Sequence, residues 1–305
     1  MARSLRLIGA PAVAVPVAHS APRAHGRGVW SSALRRLARN RLATAGAVAV
    51  VLFVAVALLA PVIATQPFDA QIFRRNLGPN AENWLGTDDL GRDLFSRVVY
   101  GARISLLVGV ATQVLVLAIG LALGCVAGYA GGRLDSVLMR VTEVLYAFPA
   151  TLLAIVLLTV LGRNVTNVVL AIGVSMLPTM IRLVRGAVLT VRDVEFIEAA
   201  RALGASNPRI VLQHVLPNIL GPVVVAATFG VPAAIMAEAS LSFIGLGIAP
   251  PMPSWGLMVN AGFAWIRSDP LIALVPAVAI SLTLLAFNFL GDGLRDALDP
   301  RSQPV

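Results

Sequence analysis

Six apolar runs, each about as long as a bilayer core is thick, constrain this chain more than any other feature. A hydrocarbon core about 30 Å thick is crossed by roughly 20 residues of α-helix. Runs of that order occur at 42–64, 104–130, 137–161, 165–184, 219–249 and 271–290. They predict an all-α membrane protein with six transmembrane helices. The fifth run exceeds one crossing, so part of it must tilt, break or lie at the interface. Composition agrees: 58% of the 305 residues are hydrophobic and 13% charged, and the mean hydropathy is +0.84, far from the balance of a soluble domain.

Charge then orients the spans. All 24 basic residues are Arg, giving a net charge of +9 against 15 carboxylates. Arg3, Arg6, Arg23, Arg27, Arg35, Arg36, Arg39 and Arg41 precede the first span with no acid among them. Such a block stays in the cytoplasm, so it reads as a topology signal and not as a nucleic-acid surface. Segment 66–100 is then external, and the connection between the fourth and fifth spans is cytoplasmic, as is the C-terminus. Residues 1–28 lack any period and are expected to be a disordered cytoplasmic tail. The run that follows is too long for the core of a cleavable signal and fits an uncleaved anchor. The chain divides into this tail, a first span with its external segment (29–98), a core of spans (99–292) and a cytoplasmic C-terminal tail (293–305).

Within the spans, Gly120, Gly124, Gly128 and Gly132 recur every four residues. That spacing puts them on one helix face, for close helix packing or a pore lining. Cys125, the single cysteine, reads as a small core residue. Glu143 and Glu238 lie inside apolar runs, where a carboxylate either pairs structurally or lines a translocation path. Pro149, Pro178, Pro222 and Pro232 can kink spans. Outside, Asp88 with Arg92 and Asp93 with Arg97 are spaced as i,i+4 pairs, and Leu90, Leu94 and Val98 share another face. This predicts an amphipathic external helix before the second span. Asp88, Asp89, Arg92 and Asp93 would then either be a solvated approach to the membrane or offer a surface to an external partner.

The segment between the fourth and fifth spans, EAARALGASNPRIVLQHVLPN at 198–218, has its own pattern. Phe196, Ile197, Ala200 and Leu203 fall at helical spacing opposite Glu195, Glu198 and Arg201. Gly204 stands where a left-handed C-terminal residue is wanted. Asn207 and Pro208 read as an N-cap and first helical residue of a second short helix, which Pro217 should end at Leu216. A helix, an elbow and a helix outside the bilayer, with small Ala199, Ala200 and Gly204 on one side, form a docking knob at 195–217.

Glu198, Ala199 and Ala200, then three residues, Gly204, nine more to His214, and Leu216 with Pro217 match the EAA-loop signature of the permease subunits of bacterial binding-protein-dependent ABC importers. The broad pattern has Ile where His214 stands, a subgroup feature. LGTDDLGRDLFSRVVYGARISLLVG, EASLSFIGLG at 238–247, PSWG at 253–256 and GDGLRDALDP at 291–300 resemble the C-type subunit of the dipeptide, oligopeptide and nickel subgroup. The resemblance spans about residues 30–300. It implies the type I importer (MetI-like) permease fold in the bacterial inner membrane. It also implies a second permease, two ABC ATPases and an external solute-binding protein as partners, with membrane lipid around them. Glu198, Ala199, Ala200, Gly204, Leu216 and Pro217 would form the ATPase-docking loop. The implied cargo is peptides, with nickel or another small solute as the alternative.

Independent of the resemblance, a P-loop needs a Lys on the nucleotide phosphates, and this chain contains none. No cofactor, metal or catalytic residue is expected in it; ATP and Mg would be used by the partner ATPases. His19, His25 and His214 form no H-E-x-x-H, and no G-x-S-x-G occurs, so hydrolase chemistry is unsupported. The competing classes are an ion-driven secondary transporter, which calls for an inverted repeat that the two halves do not show, and a membrane scaffold without transport.

Overall fold

The computed structural model describes residues 28–298; the expectations for the tail up to residue 27 and for 299–305 lie outside the described residues. The elements in order are α1 (Gly28–Arg39), α2 (Arg41–Leu58), α3 (Ala60–Ile63), α4 (Leu94–Ala130), α5 (Gly132–Tyr146), α6 (Ala150–Leu161), α7 (Val165–Val191), α8 (Glu195–Ala202), α9 (Asn207–Ile210), a π-helical turn (Val211–Val215), α10 (Leu216–Phe243), α11 (Trp255–Phe263) and α12 (Leu271–Leu298). Helices α2, α4, α7, α10 with the two elements before it, and α12 are long and apolar enough to cross a membrane. Helices α5 and α6 together are also long and apolar enough but meet at 86°, the geometry of a broken span or a re-entrant loop. Pro149 caps α6 in an extended conformation. A proline also disfavours helix at the residue before it, here Phe148, so the apolar run at 137–161 breaks there.

Glycine decides which helices approach closely. Helix α4 packs most extensively on α7. A Cβ on Gly120, Gly124 or Gly128 would stand 2.5, 2.6 or 2.7 Å from Met180, Val184 or Val188. Three of the four glycines in the stripe therefore serve helix packing. Gly132 does not: it lies past the end of α4, at φ +58, where an added Cβ would meet nothing within 4 Å. On the other side of the bundle Gly46 lets α2 rest on the α12 backbone at Ala286. Helix α12 carries on to Leu298, through residues expected to be tail.

The segment expected to lie outside differs from the expected helix. Residues 84–93 are turns, and helix begins only at Leu94. Gly86 and Gly91 adopt φ +84 and +75, and the Asp88 carboxylate accepts from the backbone N–H of Leu90 and Arg92, each at 2.9 Å. A short acid bonded to its own backbone in this way favours a turn over a helix. The Asp93 side chain then accepts from Ser96 N at 2.8 Å, making it the N-cap of a 37-residue helix.

The second helix of the 195–217 loop also departs from expectation. It does not stop at Pro217 but runs from Asn207 into the fifth span. A proline ring clashes with the carbonyl four residues back in an α-helix. Here the chain widens into a π turn just before it, with Leu216 N donating to Val211 O, and the Asn218 side chain donates to His214 O at 2.6 Å. The wider turn makes room for the ring and lets the helix continue.

Candidate functional site

The 195–217 loop is a rigid knob. Helix α8 ends in a Schellman pair: Ala205 N donates to Ala200 O at 3.1 Å and Gly204 N to Arg201 O at 3.0 Å. Gly204 takes φ +82, a left-handed conformation that glycine adopts without penalty. Ser206, not Asn207, precedes the first residue of α9. Asn207 instead accepts a hydrogen bond from the Tyr129 hydroxyl at 3.2 Å. Ile197, Ile210 and Val215 are fully buried in one cluster with Cys125, Val184 and Val188, which seats the knob on the ends of α4 and α7. Arg192 adds a hydrogen bond to Gly128 O at 2.9 Å.

The anchored side and the free side divide the expected apolar stripe. Ile197 is buried and Ala200 half-buried, whereas Phe196 is exposed and Leu203 is 89% exposed. Glu198, Ala199 and Gly204 are exposed beside it, and a Cβ added to Gly204 would meet nothing within 4 Å. The crest thus sets small Ala199 and Gly204 beside exposed Glu198 and Arg201, with Leu203 projecting at the elbow. Leu216 and Pro217 belong to the start of the fifth span, half-buried and exposed respectively, and His214 is half-buried in the π turn. Leu203 lies two helical turns after Phe196 and shares its exposed side, whereas Ile197 and Ala200 turn inward.

The two carboxylates in apolar runs have different surroundings. Glu238 is fully buried. Its carboxylate accepts from the Ser242 hydroxyl at 2.6 Å and the Ser105 hydroxyl at 3.3 Å. The Ser254 hydroxyl donates to Ser242 at 3.3 Å, Trp255 N donates to Ser105 at 3.3 Å, and the Trp255 indole N–H donates to Val98 O at 3.0 Å. The network ties α4, α10 and α11 together, which is structural pairing. Glu238→Ala is expected to strand these hydroxyls and to destabilise the protein by about 1–3 kcal/mol, with Glu238→Gln milder; thermal unfolding in detergent reads the difference. Glu143 is exposed and borders a cavity of about 540 Å³ with Asp135, Arg182 and Arg185.

At the opposite end of the bundle Asp88, Arg92 and Asp93 are buried, at 3%, 8% and 0% exposure, which corrects the expectation of an external partner surface there. Asp88 holds both Arg92 Nε at 2.6 Å and Arg97 Nε at 3.3 Å, so the pair expected between Asp93 and Arg97 is replaced by one across the turn. Asp93 also accepts from the Ser96 hydroxyl at 2.7 Å and Thr65 at 3.2 Å. These groups fasten the loop to α4. Only Asp89, with its side chain 27% exposed, reaches the surface. Asp88→Ala should therefore leave two buried guanidinium groups short of their counter-charge. It is expected to loosen this loop, seen as faster proteolysis of segment 65–93, with the spans intact.

Residues 120–303 match the family model described as the inner membrane component of binding-protein-dependent transport systems. Residues 28–79 match the N-terminal transmembrane domain of oligopeptide transport permease C. The chain is similar to the dipeptide transport system permease protein DppC of Alkalihalophilus pseudofirmus, 43% identical over 273 residues, 89% of this chain and 90% of the relative. It is also similar to the glutathione transport system permease protein GsiD of Escherichia coli, 46% identical over 276 residues, 89% of this chain and 90% of the relative. Among solved structures it resembles a chain of the inward-facing MetNI methionine ABC transporter with a TM-score of 0.57 at 20% identity, over 68% of this chain and 98% of that one. That likeness shows a shared fold. With a model matching more than half of its length and relatives aligned over nearly all of it, the chain belongs to the family of inner membrane permease components of binding-protein-dependent ABC importers.

Proposed function

We propose that this permease carries peptides across a bacterial inner membrane as one half of a heteromeric path, driven by ATPases that grip the knob at 195–217. The cargo rests on one observation: relatives named for dipeptide and glutathione transport are 43% and 46% identical to it over 89% of the chain. The knob supports the coupling. A crest of Ala199, Gly204 and Leu203 standing clear of the bundle, on a base locked by Ile197 and Ile210, suits insertion into a cleft of another protein. It also transmits force, because its base is continuous with α7 and the fifth span.

On this reading the α8 end faces the cytoplasm, with both termini there. The partners are a second permease, two ATPase subunits that bind ATP and Mg, and an external binding protein that delivers the peptide. ATP closes the ATPases, the knobs move with them, and the path alternates between inward-open and outward-open forms. This chain binds no nucleotide and catalyses no reaction. Purification of the tagged chain from its native membrane is expected to bring down a P-loop ATPase and a second permease, and deletion of the gene to abolish uptake of dialanine. Recovery without an ATPase would overturn the coupling, and intact dialanine uptake alongside lost nickel uptake would overturn the cargo.

A further inference from the structure

Helix α5 is two-faced, with Leu134, Val137 and Val141 exposed on an apolar side and charged residues on the other. It joins α6 at 86° and crosses α7 near the end that carries the knob, tied there at two points. Asp135 accepts from Arg185 Nε and Nη2, both at 2.6 Å, and the Arg182 guanidinium sits over the Tyr146 ring at 4.6 Å. Successive residues turn by about 100°, so Ser136, Met139, Arg140 and Glu143 share one face, and Leu134, Val137 and Val141 the opposite one. The charged face borders the 540 Å³ cavity. Arg140 and Glu143 are exposed on it, and among the described residues neither forms an ion pair.

The break beside this face carries the same message. Pro149 supplies no side-chain cap to α6, so the first N–H groups of that helix have no helical partner. Tyr146 to Ala150 are exposed throughout. Open backbone of this kind at membrane depth is tolerated only against protein or along water, never against lipid. Charge on one side and free backbone donors at the bend both point away from lipid and suit a water-lined surface.

We infer that α5 is the inner gate bar of the translocation path and that its cavity holds a zwitterionic solute, carboxylate on Arg140 and Arg182, ammonium on Glu143. The inference rests on the permease reading above. Opposite charges left unpaired around a space within the usual range for small-ligand sites, about 300–1,000 Å³, suit a ligand with free termini better than a neutral or singly charged one. Arg185 is spoken for by Asp135, which leaves Arg140, Arg182 and Glu143 as the groups that meet the solute. When the ATPases close and the knob shifts the end of α7, Arg182 and Arg185 carry α5 with them, closing the cavity toward the cytoplasm.

The test has two readouts on the complete transporter in proteoliposomes, in a Cys125→Ala background. First, Glu143→Cys is labelled from the cytoplasmic face with a membrane-impermeant methanethiosulfonate, with Val141→Cys as the opposite-face comparison. Glu143→Cys is expected to react readily without nucleotide and about tenfold more slowly when trapped with ATP and vanadate, while Val141→Cys stays slow in both. Equal reactivity of Glu143→Cys in the two states, or a faster Val141→Cys, overturns the gate assignment whatever the cargo. Second, Glu143→Gln and Arg182→Gln should each cut dialanine uptake about tenfold, the effect of one lost charged hydrogen bond. Unchanged uptake in both overturns the zwitterion site. A wild-type transporter that moves no dialanine refutes the peptide reading and the zwitterion site together, while the labelling still decides the gate.

Discussion

Gly124→Leu is expected to remove this protein from the membrane rather than to tune its transport. A Cβ at that position would stand 2.6 Å from the Val184 Cβ and 2.9 Å from the Ile181 carbonyl oxygen, so the first added atom already meets a side-chain root and a backbone oxygen. Neither can swing away. Helix association in lipid draws on close van der Waals contact and has no hydrophobic drive to fall back on. Forcing α4 from α7 would separate the largest interface in the molecule and open the seam from Gly120 to Gly128. Overpacking of a core commonly costs about 1–3 kcal/mol, and a leucine between two helix backbones belongs at or above the upper end. Gly186→Ala is the comparison, since Gly186 lies on α7 where an added Cβ would meet nothing within 4 Å. Immunoblots of membranes should show Gly124→Leu depleted severalfold and Gly186→Ala at the wild-type level. Equal accumulation of both would mean that α4 and α7 pack less tightly than these distances require.

Substitutions at the crest of the knob should give the opposite phenotype, a protein that folds and assembles poorly with its motor. Leu203→Glu is the cleanest, because the side chain is 89% exposed and its loss costs the chain itself little. Burying an unpaired carboxylate at the centre of an interface commonly costs about 2 kcal/mol or more, enough to lose most of the complex. Gly204→Trp should act in the same direction by bulk. Gly204→Trp carries a second burden, because a non-glycine residue at φ +82 pays about 1 kcal/mol of strain. Gly204→Ala separates the two: it has the strain without the bulk, and should keep most uptake. ATP-driven uptake and stimulated ATPase activity should fall at least tenfold for Leu203→Glu and Gly204→Trp, with membrane levels unchanged. Normal uptake by both would mean that the crest does not dock.

Both predictions use positions that the sequence marks, but only one of them for the reason the sequence suggests. The glycine stripe is legible because period and residue type coincide: four-residue spacing on an apolar helix leaves few other readings, and only Gly132 falls outside the seam. Leu203 is different. Its spacing places it with Phe196 on the apolar stripe of α8, and the seating of Ile197 against α4 and α7 leaves that edge of the stripe free, which periodicity carries no information about. The external segment failed for a related reason. Asp88 and Arg92 do pair at 2.6 Å, as the i,i+4 spacing demands, yet they do so across a turn, because four residues of turn can bring two side chains as close as four residues of helix.

What the sequence determined by itself is what short-range physics dictates. The apolar runs set the spans, the Arg-rich start proposed their direction, Gly204 ended α8, and the absence of Lys leaves no ordinary P-loop. What only the tertiary structure decided is where each polar group in those runs finds its partner. Glu143 and Glu238 are both carboxylates in apolar surroundings. One is closed in by the hydroxyl of Ser242 on its own helix, by Ser105 of α4 and, through Ser242, by Ser254 at the start of α11, and the other borders an open cavity formed by α5 and α7. The energy of a charge in a membrane depends on what lies within a few ångströms of it. For these two residues that environment includes segments far away in the chain, brought near only by the packing of the helices.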